Sequence, residues 1–261
     1  MIAEGRDYMK LRRFFQSLMA AAAMTATMTL TSFAGVKDGG FLTSNSNGYI
    51  FNSVSGSDLS GCYVQAEKML NTACPAVGMT TLDKVYSTNT GNILISAESA
   101  EKLDSIQNQV DAWLADNIQN IVPQGTPAAD IPRTAAVWVS DRMNYDRAAI
   151  GNSELARSYQ SALRCFTEGK GICATYAYAF NSIISAVPVA NGIVDYNAAN
   201  PSYLAARFVY NNDHAWSAIN DNGIWRYYDV CSYDADRNPA YLDMNPDTMN
   251  AGGYRDIKVA F

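Results

Sequence analysis

The 261-residue chain has one histidine, His214, and only 17% of its residues are charged. With no His pair and no C-x-x-C, it offers no ligand set of the usual zinc type, so no metal is expected. No D-x-[DN]-x-[DN]-G run provides a calcium loop, and no cofactor is expected. Basic residues are in the minority, 19 against 25 acidic, for a net charge of −6. That balance argues against nucleic acid or an anionic membrane surface as partner. There is no internal repeat and no heptad run, which excludes a solenoid or a coiled coil.

The opening residues look like a targeting segment. Lys10, Arg12 and Arg13 precede an apolar-to-small stretch over residues 14–30, and Ser32-Phe33-Ala34 follows just before Gly35. This is the pattern of a signal peptide spanning residues 1–34, and it predicts a secreted, extracellular or cell-envelope protein. An uncleaved membrane anchor is the alternative, diluted by Thr25, Thr27, Thr29, Thr31 and Ser32. Only in that case is membrane association expected. Cleavage removes four basic residues (Arg6, Lys10, Arg12, Arg13) and two acidic ones (Glu4, Asp7), leaving a net charge of −8.

Cys62, Cys74, Cys165, Cys173 and Cys231 all follow that segment, and an odd count leaves at least one thiol free. If Cys173 is the free one, three pairings remain, of which Cys62–Cys74 with Cys165–Cys231 is favoured. Cys62 and Cys74 could also both be reduced, because twelve residues along one helix separate them by about 18 Å, too far to bridge unless the helix ends between them.

Residues 35–57, rich in Gly, Ser and Asn, read as a loose leader. Helical periodicity follows over 58–73 and 99–120, with a short hairpin between them near 82–95. The region 35–125 is therefore expected to be mainly helical and of unknown role. Pro123-Gln124-Gly125-Thr126-Pro127 marks the boundary to a second domain over 126–261. That domain should open with a helix over 128–143 and a polar helix over 153–166. Strands are expected near 189–197 and 207–210.

Chemistry concentrates in this second half. Cys173 lies in Gly169-Lys170-Gly171-Ile172-Cys173-Ala174-Thr175-Tyr176-Ala177, at the start of an apolar helical pattern over 172–187. A thiol reacts as thiolate, and the free N–H groups and macrodipole of a helix N-terminus favour negative charge there. His214 opens an alternating run over 213–219, and Asn220-Asp221-Asn222-Gly223 joins it to a second strand over 225–230. If the hairpin centre falls between Asp221 and Asn222, His214 and Asp229 pair directly. If Asn222-Gly223 are the two central turn residues, Asp229 becomes a diagonal neighbour on the same face. Either register sets a carboxylate beside the imidazole. Asp213 and Asp221 read as solvated loop carboxylates.

The order Cys, His, Asp resembles the transglutaminase-like (papain-like) superfamily. The resemblance rests on residues 168–177, on His214-Ala215-Trp216 and on Trp225-Arg226-Tyr227-Tyr228-Asp229-Val230. The segment Trp138 to Asp146 is similar to the family's helix ending in an aromatic-Asp corner, and nothing before residue 125 matches. The resemblance implies an α+β papain-like core, with Cys173 at a helix N-terminus and His214 and Asp229 on an adjacent antiparallel hairpin. It implies a cysteine peptidase-like or amidase-like enzyme acting on a protein or peptide substrate, with a transamidating transglutaminase or a non-catalytic surface module as alternatives. Cys173 is the expected nucleophile, His214 the general base and acid, and Asp229 the orienting group. Tyr145, Tyr176 and Trp216 are the expected substrate-binding residues.

Overall fold

A computed structural model describes residues 42–52, 54, 59–82, 85–87, 92–221, 223–252, 254 and 257–259, so the expected signal segment lies outside the described residues. Strands β1 (Leu42–Asn45) and β2 (Gly48–Phe51) form an antiparallel hairpin inside the stretch expected to be a loose leader. Helix α1 (Leu59–Ala73) follows, then β3 (Val85–Ser87) and β4 (Ile93–Ile95), and the four strands join in the order β1-β2-β4-β3. Helices over Leu59–Ala73 and Ala97–Ile121 outweigh these strands, 40 residues against 14, so the described N-terminal region is mainly helical, with β3 and β4 pairing as the short hairpin near 82–95 and β1 and β2 added to it. Strands of three or four residues carry almost no periodicity of their own, and the pairing of β2 with β4 bridges more than forty residues.

Helix α2 (Ala97–Ile121) begins at Ser96, whose hydroxyl accepts the Ser99 N–H, and turns Leu103, Val110, Leu114 and Ile118 into the core. Buried residues on both sides of residues 123–127, among them Leu70, Leu103, Val139 and Phe180, belong to one continuous cluster.

Beyond that linker come α3 (Ile131–Arg142), β5 (Asn144–Tyr145), α4 (Ser153–Ser158), α5 (Leu163–Glu168), β6 (Lys170–Gly171) and α6 (Cys173–Ala186). The single polar helix expected over 153–166 is two helices. Between them Tyr159 is buried, Thr81 Oγ1 donates to the Gln160 carbonyl, and the Ala162 N–H donates to Ala76. These bonds to a distant loop outcompete continuation of the helix.

A small sheet of β7 (Pro188–Ala190), β8 (Ile193–Val194) and β9 (Ser202–Tyr203) leads to the main sheet. The latter contains β10 (Ala205–Tyr210), β11 (Ala215–Asp221) and β12 (Ile224–Tyr228). After α7 (Val230–Asp236) and α8 (Pro246–Ala251), β13 (Lys258–Val259) completes it in the order β12-β11-β10-β13. Helix α6 is buried along nearly its whole length and packs across β10 and β11, with α3, α5 and α7 around it. The architecture is α+β.

No disulfide joins any of the five cysteines, which corrects the favoured pairing. Helix α1 carries Cys62 and runs unbroken to Ala73, so Cys74 lies at the far end of the same rigid rod.

Candidate active site

The turn before Cys173 is fastened at several points. Arg142 Nε and Nη2 donate to the carbonyls of Cys165 and Phe166 at 2.7 and 2.6 Å, closing the C-terminus of α5. Its guanidinium also lies over the rings of Trp113 and Trp138. Gly169 caps α5 at φ 65°, and a Cβ there would sit 2.7 Å from the Arg142 carbonyl oxygen. Strand β6 then pairs in parallel with β5, with the Asn144 and Asp146 N–H groups donating to Gly169 and Gly171. A Cβ on Gly171 would lie 2.4 Å from Thr175 Oγ1. That approach lets Thr175 Oγ1 accept the Ile172 N–H at 3.2 Å and donate to the Tyr159 carbonyl at 2.6 Å. Cys173 is consequently the first residue of α6, where its own N–H has no acceptor within the helix.

Asp146 anchors the other side of this turn. Its buried carboxylate accepts from Tyr159 Oη at 2.6 Å, pairs with Lys170 Nζ at 2.9 Å and accepts the Ala148 N–H. The Tyr159 hydroxyl first, and Lys170 second, hold its pKa down to about 2. Tyr159 thereby links the aromatic-Asp corner to Thr175 and the start of α6.

His214 and Asp229 meet across the hairpin. Ser217 pairs with Tyr228 and Asp221 with Ile224, so the register is the one with two central turn residues, and Asp229 is the diagonal neighbour. Both residues were expected within strands, and both lie just outside them. His214 ends the β10–β11 turn, where Asn211 Oδ1 accepts the N–H groups of Asp213 and His214. Asp229 is the N-cap of α7 and accepts the Ser232 N–H at 2.9 Å. His214 Nε2 lies 2.8 Å from Asp229 Oδ2, which also accepts from Ser232 Oγ at 2.7 Å and Tyr254 Oη at 2.6 Å.

Burial alone would lower the His214 pKa, but hydrogen bonds to Asp229 and Cys173, with the charges on both, raise it to about 10. Since Asp229 occupies Nε2, Nδ1 is the nitrogen left for the thiol. Burial of Asp229 opposes its ionisation, and the hydrogen bonds and charge from His214, followed by Tyr254 and Ser232, overcome that and hold its pKa low. The arrangement can accept a proton from the thiol and return it to a leaving group.

Cys173 and His214 open onto a cleft of about 360 Å³, a size suited to one or two residues of a ligand. Tyr145, 41% exposed, lines it. Tyr176 and Trp216 do not. Tyr176 is buried behind the site and donates to Asp234 at 2.7 Å. Trp216 is buried beneath His214, ring centroids 5.8 Å apart, and meets Tyr254 edge-on.

Ser232, Tyr254 and Glu67 were not anticipated around this site. An Asp just ahead of a helical run is itself an N-cap signal, which made Ser232 legible three residues later. Glu67 breaks the apolar stripe of α1 between Tyr63 and Leu70. Tyr254 carries no local signal at all. Among the described residues no group of three or more His, Cys, Asp or Glu could hold a metal ion. Comparison with protein-family models gives no match for this chain, and comparison with curated proteins gives none.

Proposed function

We propose that the chain is a secreted, thiol-dependent acyl-transfer enzyme of transglutaminase-like, papain-like type, cleaving peptide or glutamine-type amides. The observation that carries this reading is the relay of Cys173, His214 Nε2 and Asp229 Oδ2 at the edge of an open cleft. The Cys173 sulfur attacks the amide carbonyl, and the backbone N–H of Cys173 donates to the developing oxyanion. Imidazolium His214 then protonates the leaving amine as the C–N bond breaks, leaving a thioester on Cys173. Water, deprotonated by the now neutral imidazole, attacks the thioester, and release of the acid returns the proton to the Cys173–His214 pair. Asp229 keeps the ring oriented and compensates its charge through both steps. The part-exposed His214 side chain leaves the relay open to solvent, and water is the acceptor in this proposal.

The test is labelling with iodoacetamide, read by mass spectrometry on the Cys173 peptide, together with turnover of a peptide-amide library. Cys173 should label fastest of the five thiols, and His214→Ala should slow that labelling at least tenfold and abolish turnover. Labelling of Cys173 that is indifferent to His214→Ala would refute the relay.

A further inference from the structure

The cleft has a second polar end. Helix α1, from the N-terminal half, delivers Tyr63 and Glu67 to the same cavity that Cys173 and His214 open onto. Glu67 is only 2% exposed. Its Oε2 accepts the Met79 N–H at 2.7 Å, and its Oε1 accepts from Tyr178 Oη at 3.2 Å and Asn71 Nδ2 at 3.3 Å. An ionised carboxylate has about four lone-pair sites, so these three donors leave one open, on Oε2. All three donors are neutral, and among the described residues no lysine or arginine lines the cavity. The second carboxylate on its wall is Asp213. Phe208, Tyr210 and Tyr63 line the same cavity as Glu67 and Cys173.

A buried carboxylate on an aromatic-lined cavity, where the described cation His214 is already paired with Asp229, is a binding site for a further cation. The carboxylate supplies the charge and a hydrogen-bond acceptor, and the ring faces supply cation–π attraction. The net charge of −6 adds long-range attraction of the same sign. Burial first of all, offset in part by the hydrogen bonds, raises Glu67 to about 7, so an incoming cation would also favour its ionised form.

We infer that Glu67, with Tyr63, Tyr210 and Phe208, forms a selectivity pocket for a protonated primary amine of the substrate, such as a lysine-like side chain. The inference rests on the proposed attack by Cys173. On this view α1 is part of the substrate site, which gives the N-terminal half a role in the chemistry of the second.

Two iodoacetamides matched in length separate the possibilities: N-(5-aminopentyl)iodoacetamide, protonated at neutral pH, and the uncharged N-hexyl compound. Each forms an S–C bond to Cys173 with loss of iodide. The ratio of their rates isolates the arm, because both meet the same thiol and the same His214. A ratio of about ten or more in favour of the amine is expected for the wild type at pH 8, collapsing to about one in Glu67→Gln.

The wild-type ratio should also fall towards one between pH 8 and pH 6 as Glu67 protonates. The alkylamine stays charged across that range. Beside Glu67 the phenols of Tyr63, Tyr178 and Tyr210 are held above the ordinary tyrosine value, chiefly by burial, and stay neutral throughout. Of the other described ionisable groups on the cavity wall, Cys173, His214 and Asp213, the imidazolium of His214 stays charged over that range and Cys173 meets both reagents alike. This profile decides the matter even if Glu67→Gln fails to fold. A ratio near one in the wild type, or one unchanged by pH or by Glu67→Gln, overturns the pocket. Plain iodoacetamide rates that depend on His214 leave the acyl-transfer reading standing in that event.

Discussion

His214 Nε2 and Asp229 Oδ2 stand 2.8 Å apart although neither residue belongs to a strand of the hairpin that joins them. His214 is held by the Asn211 turn and Asp229 by the start of α7, so the contact depends on both ends of the sheet. Asp229 therefore serves two purposes, as the partner of the imidazole and as a helix cap.

Replacing Asp229 by Asn should reveal both. Turnover is expected to fall by roughly 10⁴, the loss seen when a triad carboxylate becomes an amide and the imidazole takes the wrong tautomer. Thermal stability should fall as well, by about 1–3 kcal/mol, because a buried group with four donors becomes an amide that must present its own N–H groups. Steady-state kinetics and thermal unfolding on the same preparation read the two effects. A variant with wild-type kcat would remove Asp229 from the mechanism.

The His214 pair also predicts a pH dependence of stability. His214 is raised in the folded state from about 6.5 to about 10, so its contribution is fully present below pH 6.5 and is lost as pH rises towards 10. Asp229 is lowered, so its share is present above the ordinary carboxylate value and is lost as pH falls through its folded value. The melting-temperature difference between wild type and His214→Gln should thus be largest near pH 5–6.5 and shrink steadily up to pH 10. A difference that grows towards alkaline pH would contradict the pairing.

Gly171→Ala tests the turn that carries the nucleophile. Its Cβ would fall 2.4 Å from Thr175 Oγ1, a side chain wedged between the Ile172 N–H and the Tyr159 carbonyl. Relief of that clash must displace Thr175, at a cost of about 1–3 kcal/mol, and it tilts the first turn of α6. Iodoacetamide labelling of Cys173 should slow together with the drop in melting temperature, whereas Gly192→Ala, where a Cβ meets open space but φ is 78°, should cost only stability.

Thiol titration of the purified chain, unfolded without reductant, should return five thiols. Three or one would mean that bonds form which α1 and the buried setting of Cys165 do not favour.

The helix beginning at Cys173 was legible because its apolar periodicity and the two preceding glycines are local properties of the chain. The β11–β12 register was narrowed to two alternatives by side-chain alternation, and the lone histidine then left few candidates for a partner to the thiol. The mixed α+β class was what the transglutaminase-like resemblance implied. Tertiary structure decided what depends on contacts distant in sequence. Thr81 and Ala76 break the helix expected over 153–166 by taking its backbone partners. Tyr254 reaches Asp229 from twenty-five residues away. Tyr176 and Trp216 fall beneath the site because helix packing, not residue type, chooses which aromatic faces a cleft and which faces the core. Glu67 enters the cleft only because α1 packs against β10, a meeting of two segments about 140 residues apart that no local pattern encodes.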